Sequence, residues 1–258
     1  MNIVLLGSGN VATQLGRAFK LAGQDIVQVW SRNIENAREL ADNLAATAIS
    51  DFDYLDRKAD LYIISVKDEA INELAKELKV SDKLIVHTSG STGMDMLEGS
   101  SSKFGVLYPL QTFSKSQMVD FRQIPFAIEG NTPEVASTIR AIADRLSERV
   151  VELSSEQRKA LHIAAVFACN FSNHLYALSQ ELLKEQNLDF DLLRPLISET
   201  AAKVQSNDPH KMQTGPASRG DQETVEAHIE LLKNNPEMQN LYQQLSQSIV
   251  NLQERSKG

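Results

Sequence analysis

The sequence predicts an α/β domain with a mostly parallel sheet over residues 1–153, followed by an all-α domain over residues 154–258. Three observations predict it. From Asn2 to Leu153 short β-branched runs alternate with helix-period segments, as in crossover units that feed a parallel sheet. The first run passes straight into a turn with two glycines, Gly7-Ser-Gly9, at the kind of strand end where such a sheet meets its ligand. At Ser154 the strand-like runs stop: Ser154-Ser-Glu-Gln157 has the spacing of a capping box, and only helical patterns follow.

Strands are expected at Ile3–Leu6, Ile26–Trp30, Asp60–Val66 and Leu84–His87, then in shorter runs near Phe104–Leu107, Phe126–Ile128 and Val150–Leu153. The helices between them include Asn33–Ala45 and Pro133–Ser147; in the first, Glu35, Arg38, Glu39 and Asp42 form a solvated face. The second domain opens with a helix from about Ser155 to Gln186. Its middle, Ala164-Ala-Val-Phe-Ala-Cys169, is apolar all round, so it is expected to be buried on most sides, with Cys169 in the core. Such a helix suits a seam between domains or between subunits, and a homodimer through the helical domain is expected. Helices at Phe190–Ser206, Gln222–Asn234 and Glu237–Gln253 follow, separated by Asn207-Asp-Pro209 and Asn234-Asn-Pro236.

The 258 residues carry a net charge of −8, with no run of cations to line a nucleic-acid groove, so a small-molecule or protein partner is expected instead. A single cysteine excludes an intrachain disulfide and an all-cysteine metal cage; His210 and His228 lack metal-ligand spacing, and no metal is expected. No apolar run has the length to cross a bilayer, and the N-terminus lacks the layout of a secretory signal, which predicts a cytoplasmic protein.

Gly7-Ser8-Gly9-Asn10-Val11-Ala12 matches G-x-G-x-x-G/A between a strand and a helix, the context in which the pattern binds a dinucleotide. Gly7 permits the tight turn and Gly9 leaves room for a pyrophosphate. Ala12 lets the helix pack on the strand while its free N–H groups face the anion. Glycines serving only a tight turn are the plainer reading. The second strand ends in Ser31-Arg32-Asn33, with no carboxylate before Glu35. A 2′-phosphate can therefore meet Arg32 and Ser31, and NADP is favoured over NAD. An exposed arginine at a helix start is the alternative for Arg32.

Together with Trp30-Ser-Arg-Asn33, Ser65-Val-Lys-Asp68, His87-Thr-Ser-Gly90, Tyr108-Pro-Leu-Gln-Thr-Phe113, His162-Ile-Ala-Ala-Val-Phe-Ala-Cys-Asn170 and Thr214-Gly-Pro-Ala-Ser-Arg-Gly-Asp221, this turn gives the whole chain a family likeness. It resembles NADP oxidoreductases that join a Rossmann-like domain to a helical C-terminal domain of unknown function. These are relatives of pyrroline-5-carboxylate reductase, the deazaflavin-dependent NADP oxidoreductases and the 6-phosphogluconate dehydrogenase superfamily. The resemblance implies a C-terminal domain like that of 6-phosphogluconate dehydrogenase. One departure is Lys67, where such proteins often carry proline after the fourth strand.

Ligands of open α/β sheets lie beyond the carboxyl ends of the strands, so Val66, Thr88, Ser89 and Gly90 are expected to border the nicotinamide. Tyr108–Phe113 is expected to form a wall of the substrate cleft, with Gln111 and Thr112 as its hydrogen-bonding members, unless Pro109 simply sets a turn. On the long helix, Lys159, His162, Asn170 and Asn173 share one side of a helical wheel. His162 is a candidate proton donor and Asn170 a candidate to orient a carbonyl or the nicotinamide amide; a hydrogen-bonded core histidine is the alternative. Arg219 can reach a substrate carboxylate or be purely structural, and Asp221 is expected to cap a helix. The expected activity is NADP-dependent hydride transfer with a small polar carbonyl or imine in a cleft between the domains. An NADP-binding sensor without hydride transfer is the alternative, and apolar closure around the nicotinamide would favour it.

Overall fold

A computed structural model describes residues 1–255, which form two compact units, the first from Met1 to Ala168 and the second from Cys169 onward. In the first unit the strands are β1 (Asn2–Leu6), β2 (Asp25–Trp30), β3 (Thr47–Ile49), β4 (Leu61–Ile64), β5 (Leu84–His87), β6 (Lys103–Pro109), β7 (Phe126–Gly130) and β8 (Val150–Glu152). They make one sheet in the order β3-β2-β1-β4-β5-β6-β7-β8, parallel except for the β6–β7 pair. The order reverses between β1 and β4, where Leu6 pairs with Trp30 on one side and Ile64 on the other.

The continuous apolar run of β1 reflects burial on both faces of the sheet. Ile3 and Leu5 enter a core with α1 (Asn10–Leu21), α2 (Ile34–Leu44) and α4 (Pro133–Ala143), through Leu15, Phe19, Leu40 and Ile139. Val4 and Leu6 face the other way, into a core with α3 (Asp68–Glu77) through Ile71 and Leu74. A side-chain period of two thus places helices on both sides of the switch point. The strand β3 was not expected from the sequence, and α4 ends at Ala143, short of the expected Ser147. There the chain turns so that the buried Ser147 hydroxyl donates to Ile124 O at 2.5 Å.

The capping box at Ser154 forms as expected: Ser154 Oγ accepts from Gln157 N and Gln157 Oε1 accepts from Ser154 N. It starts α5 (Ser155–Ala165), which belongs to the first unit. The reason is Arg158. Its side chain is 1% exposed, ion-paired to Glu129 of β7 and bonded to Thr92 O, while Ser155 N and Oγ donate to the same carboxylate at 2.8 and 2.7 Å.

The expected single helix from Ser155 to Gln186 is interrupted. Residues Val166–Phe171 form a π-helical turn before α6 (Ser172–Glu185). The second unit continues with α7 (Arg194–Ser206), α8 (Pro209–Met212), α9 (Pro216–Arg219), α10 (Gln222–Leu231) and α11 (Pro236–Arg255). The breaks fall at the two proline segments read from the sequence, and Asp221 caps α10 by accepting from Thr224 N at 3.1 Å. No residue of the π turn or of α6 is buried in the single chain, contrary to the expected burial, and Cys169 is exposed instead of lying in a core. No helix among the described residues is long and apolar enough to cross a membrane.

Candidate functional site

A cavity of about 860 Å3 lies along the carboxyl ends of β1, β2, β4, β5 and β6. One end of it is the glycine turn. Gly7 adopts φ +131°, and a Cβ there would lie 2.2 Å from Ser65 O, so the turn and its contact with β4 both require glycine. Gly9 stands at the start of α1 with open space where its Cβ would project. No side chain caps α1 and no acid occupies its first turn. The helix therefore offers unobstructed N–H groups and the positive end of its dipole to the cavity, which Ser8, Asn10 and Val11 also line. These features fit a pyrophosphate.

Ser31, Arg32 and Asn36 line the cavity at the end of β2. Arg32 is 78% exposed and 3.9 Å from Glu73, so it is available to a ligand anion. Asn33 is not among the lining residues. Its side chain accepts from Glu35 N at 2.9 Å and caps α2. Val66 and Lys67 border the middle of the cavity. Lys67 has φ −61°, which proline would also adopt, so the departure from the family pattern leaves the backbone unchanged.

Thr88, Ser89, Gly90, Tyr108, Gln111 and His162 line the cavity beyond β5 and β6. Thr88 Oγ1 lies 3.1 Å from Ser65 Oγ. The loop after β5 is supported from beneath by the buried His87, whose Nδ1 accepts from Ser89 N at 3.2 Å and whose Nε2 lies 3.3 Å from Gly93 O. Burial, with the Arg158 cation second, holds the His87 pKa down at about 4, so the ring is neutral. Above this loop, Tyr108 Oη and His162 Nδ1 are 3.1 Å apart with the rings edge to face. A Cβ on Gly90 would lie 2.7 Å from His162 Nδ1 and 2.8 Å from Tyr108 Cζ, so the pair closes over a residue with no side chain. Burial raises the Tyr108 pKa, which keeps its hydroxyl protonated.

Thr112, Asn170 and Arg219 are not among the residues that line this cavity. Thr112 is exposed, and its N and Oγ1 bond to Gln111 Oε1. Asn170 lies in the π turn, whose extra residue per hydrogen-bonded ring shifts the side chains that follow out of the phase of a straight helix. The polar stripe read from His162 to Asn170 assumed that phase. Arg219 lines a separate groove of about 490 Å3 within the helical unit. Of the segment Tyr108–Phe113, expected as a wall of the substrate cleft, Tyr108, Pro109 and Gln111 line the cavity, whereas Asn36 and Lys115 were not expected there.

Residues 2–90 match the family described as NADP oxidoreductase, coenzyme F420-dependent, and residues 124–249 match a domain of unknown function, DUF2520. No curated protein matches the chain. A Bacteroides fragilis protein named "putative NADP oxidoreductase BF3122" is 49% identical, with 97% of this chain and 98% of that one covered and a TM-score of 0.90. Pyrroline-5-carboxylate reductase from Streptococcus pyogenes is 14% identical over 97% of this chain and 98% of its own, with a TM-score of 0.67. An imine reductase from Myxococcus stipitatus, solved with NADP+, is 17% identical over 100% and 94%, with a TM-score of 0.60. The last two likenesses are of fold.

Proposed function

The chain belongs to the NADP oxidoreductase family that pairs a glycine-turn nucleotide domain with the DUF2520 helical domain, and from that premise we propose that it reduces a small polar carbonyl or imine with His162 as proton donor. NADP is the cofactor, and when bound it supplies the hydride. Its pyrophosphate belongs on Gly9 and the first turn of α1, its adenosine end by Ser31 and Arg32, and its nicotinamide toward Thr88, Ser89 and Gly90.

The observation that carries the reading is the Tyr108–His162 hydrogen bond at the far end of the same cavity. As hydride reaches the substrate carbon, charge develops on its oxygen or nitrogen and a proton is needed there. An imidazolium at His162 donates from Nε2 to that heteroatom while Nδ1–H is accepted by Tyr108 Oη. Once Nε2 has given up its proton, Nδ1 keeps its hydrogen and Tyr108 Oη goes on accepting from it. The pair is thus satisfied before and after transfer, and the ring regains its proton from solvent. Two convergent polar groups at this end support an enzyme over a sensor, for which apolar closure was the expectation.

Screening small carbonyls and imines for NADPH oxidation tests this. His162→Gln is expected to lower kcat roughly a hundredfold with NADPH affinity unchanged, and Tyr108→Phe to lower it less. Unchanged turnover in His162→Gln would remove His162 from the chemistry. Tight NADPH binding with no turnover across the panel would favour the sensor.

A further inference from the structure

The connection from β6 to β7 is strapped to α1 by three side chains on one stripe of that helix. Asn10 Nδ2 donates to Phe113 O at 2.8 Å, Gln14 Nε2 to Ser114 O and Gln117 O at 2.5 and 2.8 Å, and Arg17 Nη1 to Lys115 O at 2.8 Å. Gln14 is 2% exposed and spends both amide protons on this segment. Phe113 anchors it further by stacking on Phe121 at 5.6 Å. The segment has no regular structure of its own, yet its main chain is held at residue after residue.

The consequence falls on Lys115. Arg17 fixes its carbonyl, its side chain crosses to α2, and Nζ sits 3.2 Å from Glu39 Oε2. Lys115 lines the same cavity as Ser31, Arg32 and Asn36. Arg32 pairs with Glu73 of α3, on the opposite face of the sheet, so the two cations reach the cavity beside helices of opposite faces. The Lys115 side chain is 39% exposed against 78% for Arg32, and its backbone is already ordered.

We propose that Lys115 is a specificity-determining residue for the cofactor's 2′-phosphate, closing on it from the α2 side while Arg32 meets it from the other. The proposal rests on the NADP reading above. A phosphomonoester has three peripheral oxygens and a charge near −2, which one mobile surface arginine neutralises poorly, because exposed ion pairs gain little in water. A second cation held in place by the strap loses less freedom on binding and contributes more. Without ligand, Glu39 and Glu73 occupy the two cations; the phosphate takes the place of both carboxylates.

Fluorescence or calorimetric titration of the protein with NADPH, NADH, adenosine 2′,5′-bisphosphate and AMP tests this without turnover. Lys115→Ala is expected to weaken NADPH and the bisphosphate about tenfold, as for one charge-assisted contact, and NADH and AMP by under about twofold. Lys115→Arg restores most of the preference, and added salt narrows the wild-type gap between NADPH and NADH. Equal losses for NADPH and NADH would place Lys115 on the shared pyrophosphate and overturn the proposal, as would no loss at all. Failure of the wild type to bind NADPH would instead overturn the cofactor reading itself, and this inference with it.

Discussion

Acidification is expected to weaken the first unit through His87 before its carboxylates titrate. The ring is fully buried, with a pKa of about 4 in the fold, against about 6.5 in an unfolded chain. As pH falls, the unfolded chain therefore takes up the proton first. The stability that neutral His87 confers is complete above about pH 6.5, declines between about 6.5 and 4, and levels off below. The full shift corresponds to roughly 3 kcal/mol, of which about 2 kcal/mol is lost by pH 5. Trp30 is the only tryptophan and stacks on Phe52 at 5.0 Å, so its fluorescence reports unfolding of this unit. Urea transitions followed at pH 8 and pH 5 give the slope for the wild type and for His87→Gln. Glutamine cannot take up the proton, so the variant starts less stable at pH 8 but loses about 2 kcal/mol less on acidification. Parallel losses in the two proteins would refute the reasoning, because the pH dependence would then belong to other groups.

Two further outcomes concern the Arg158–Glu129 pair and the helical unit. Glu129→Gln leaves the Arg158 guanidinium, 1% exposed, without its counter-charge, and is expected to cost about 3–5 kcal/mol in calorimetric unfolding; a loss under about 1 kcal/mol would mean the remaining bonds suffice. The second unit exposes Leu188, Leu192, Leu196 and Leu231 in the single chain, which supports a homodimer through the helical domain. Sedimentation at micromolar concentration is expected to give twice the 28.6 kDa chain mass, and a monomer would remove the idea.

What the sequence made legible was local. The strand-to-glycine turn, the capping box at Ser154 and the proline breaks each depend on a few adjacent residues, and each stands where it was expected. The strand β3 is three residues long at the sheet edge, too short to show a period, and its extended shape comes from pairing with β2. The π turn keeps a helix-like apolar pattern and changes only the hydrogen-bond ring, which composition does not encode. The polar residues show the limit most clearly. Lys115, Arg158 and Lys159 look alike in the sequence, as cations that a solvated face would explain. Lys159 is exposed, Arg158 is sealed against Glu129, and Lys115 is held at the cavity by a bond from α1 to its carbonyl. Only Lys159 has the fate its own neighbourhood predicts. The other two are decided by partners 29 and 98 residues away in the chain, and the Tyr108–His162 pair is likewise set by a separation of 54. A residue's place on a helical wheel narrows what it can touch, but chemistry at this site depends on which distant element the fold brings to that face.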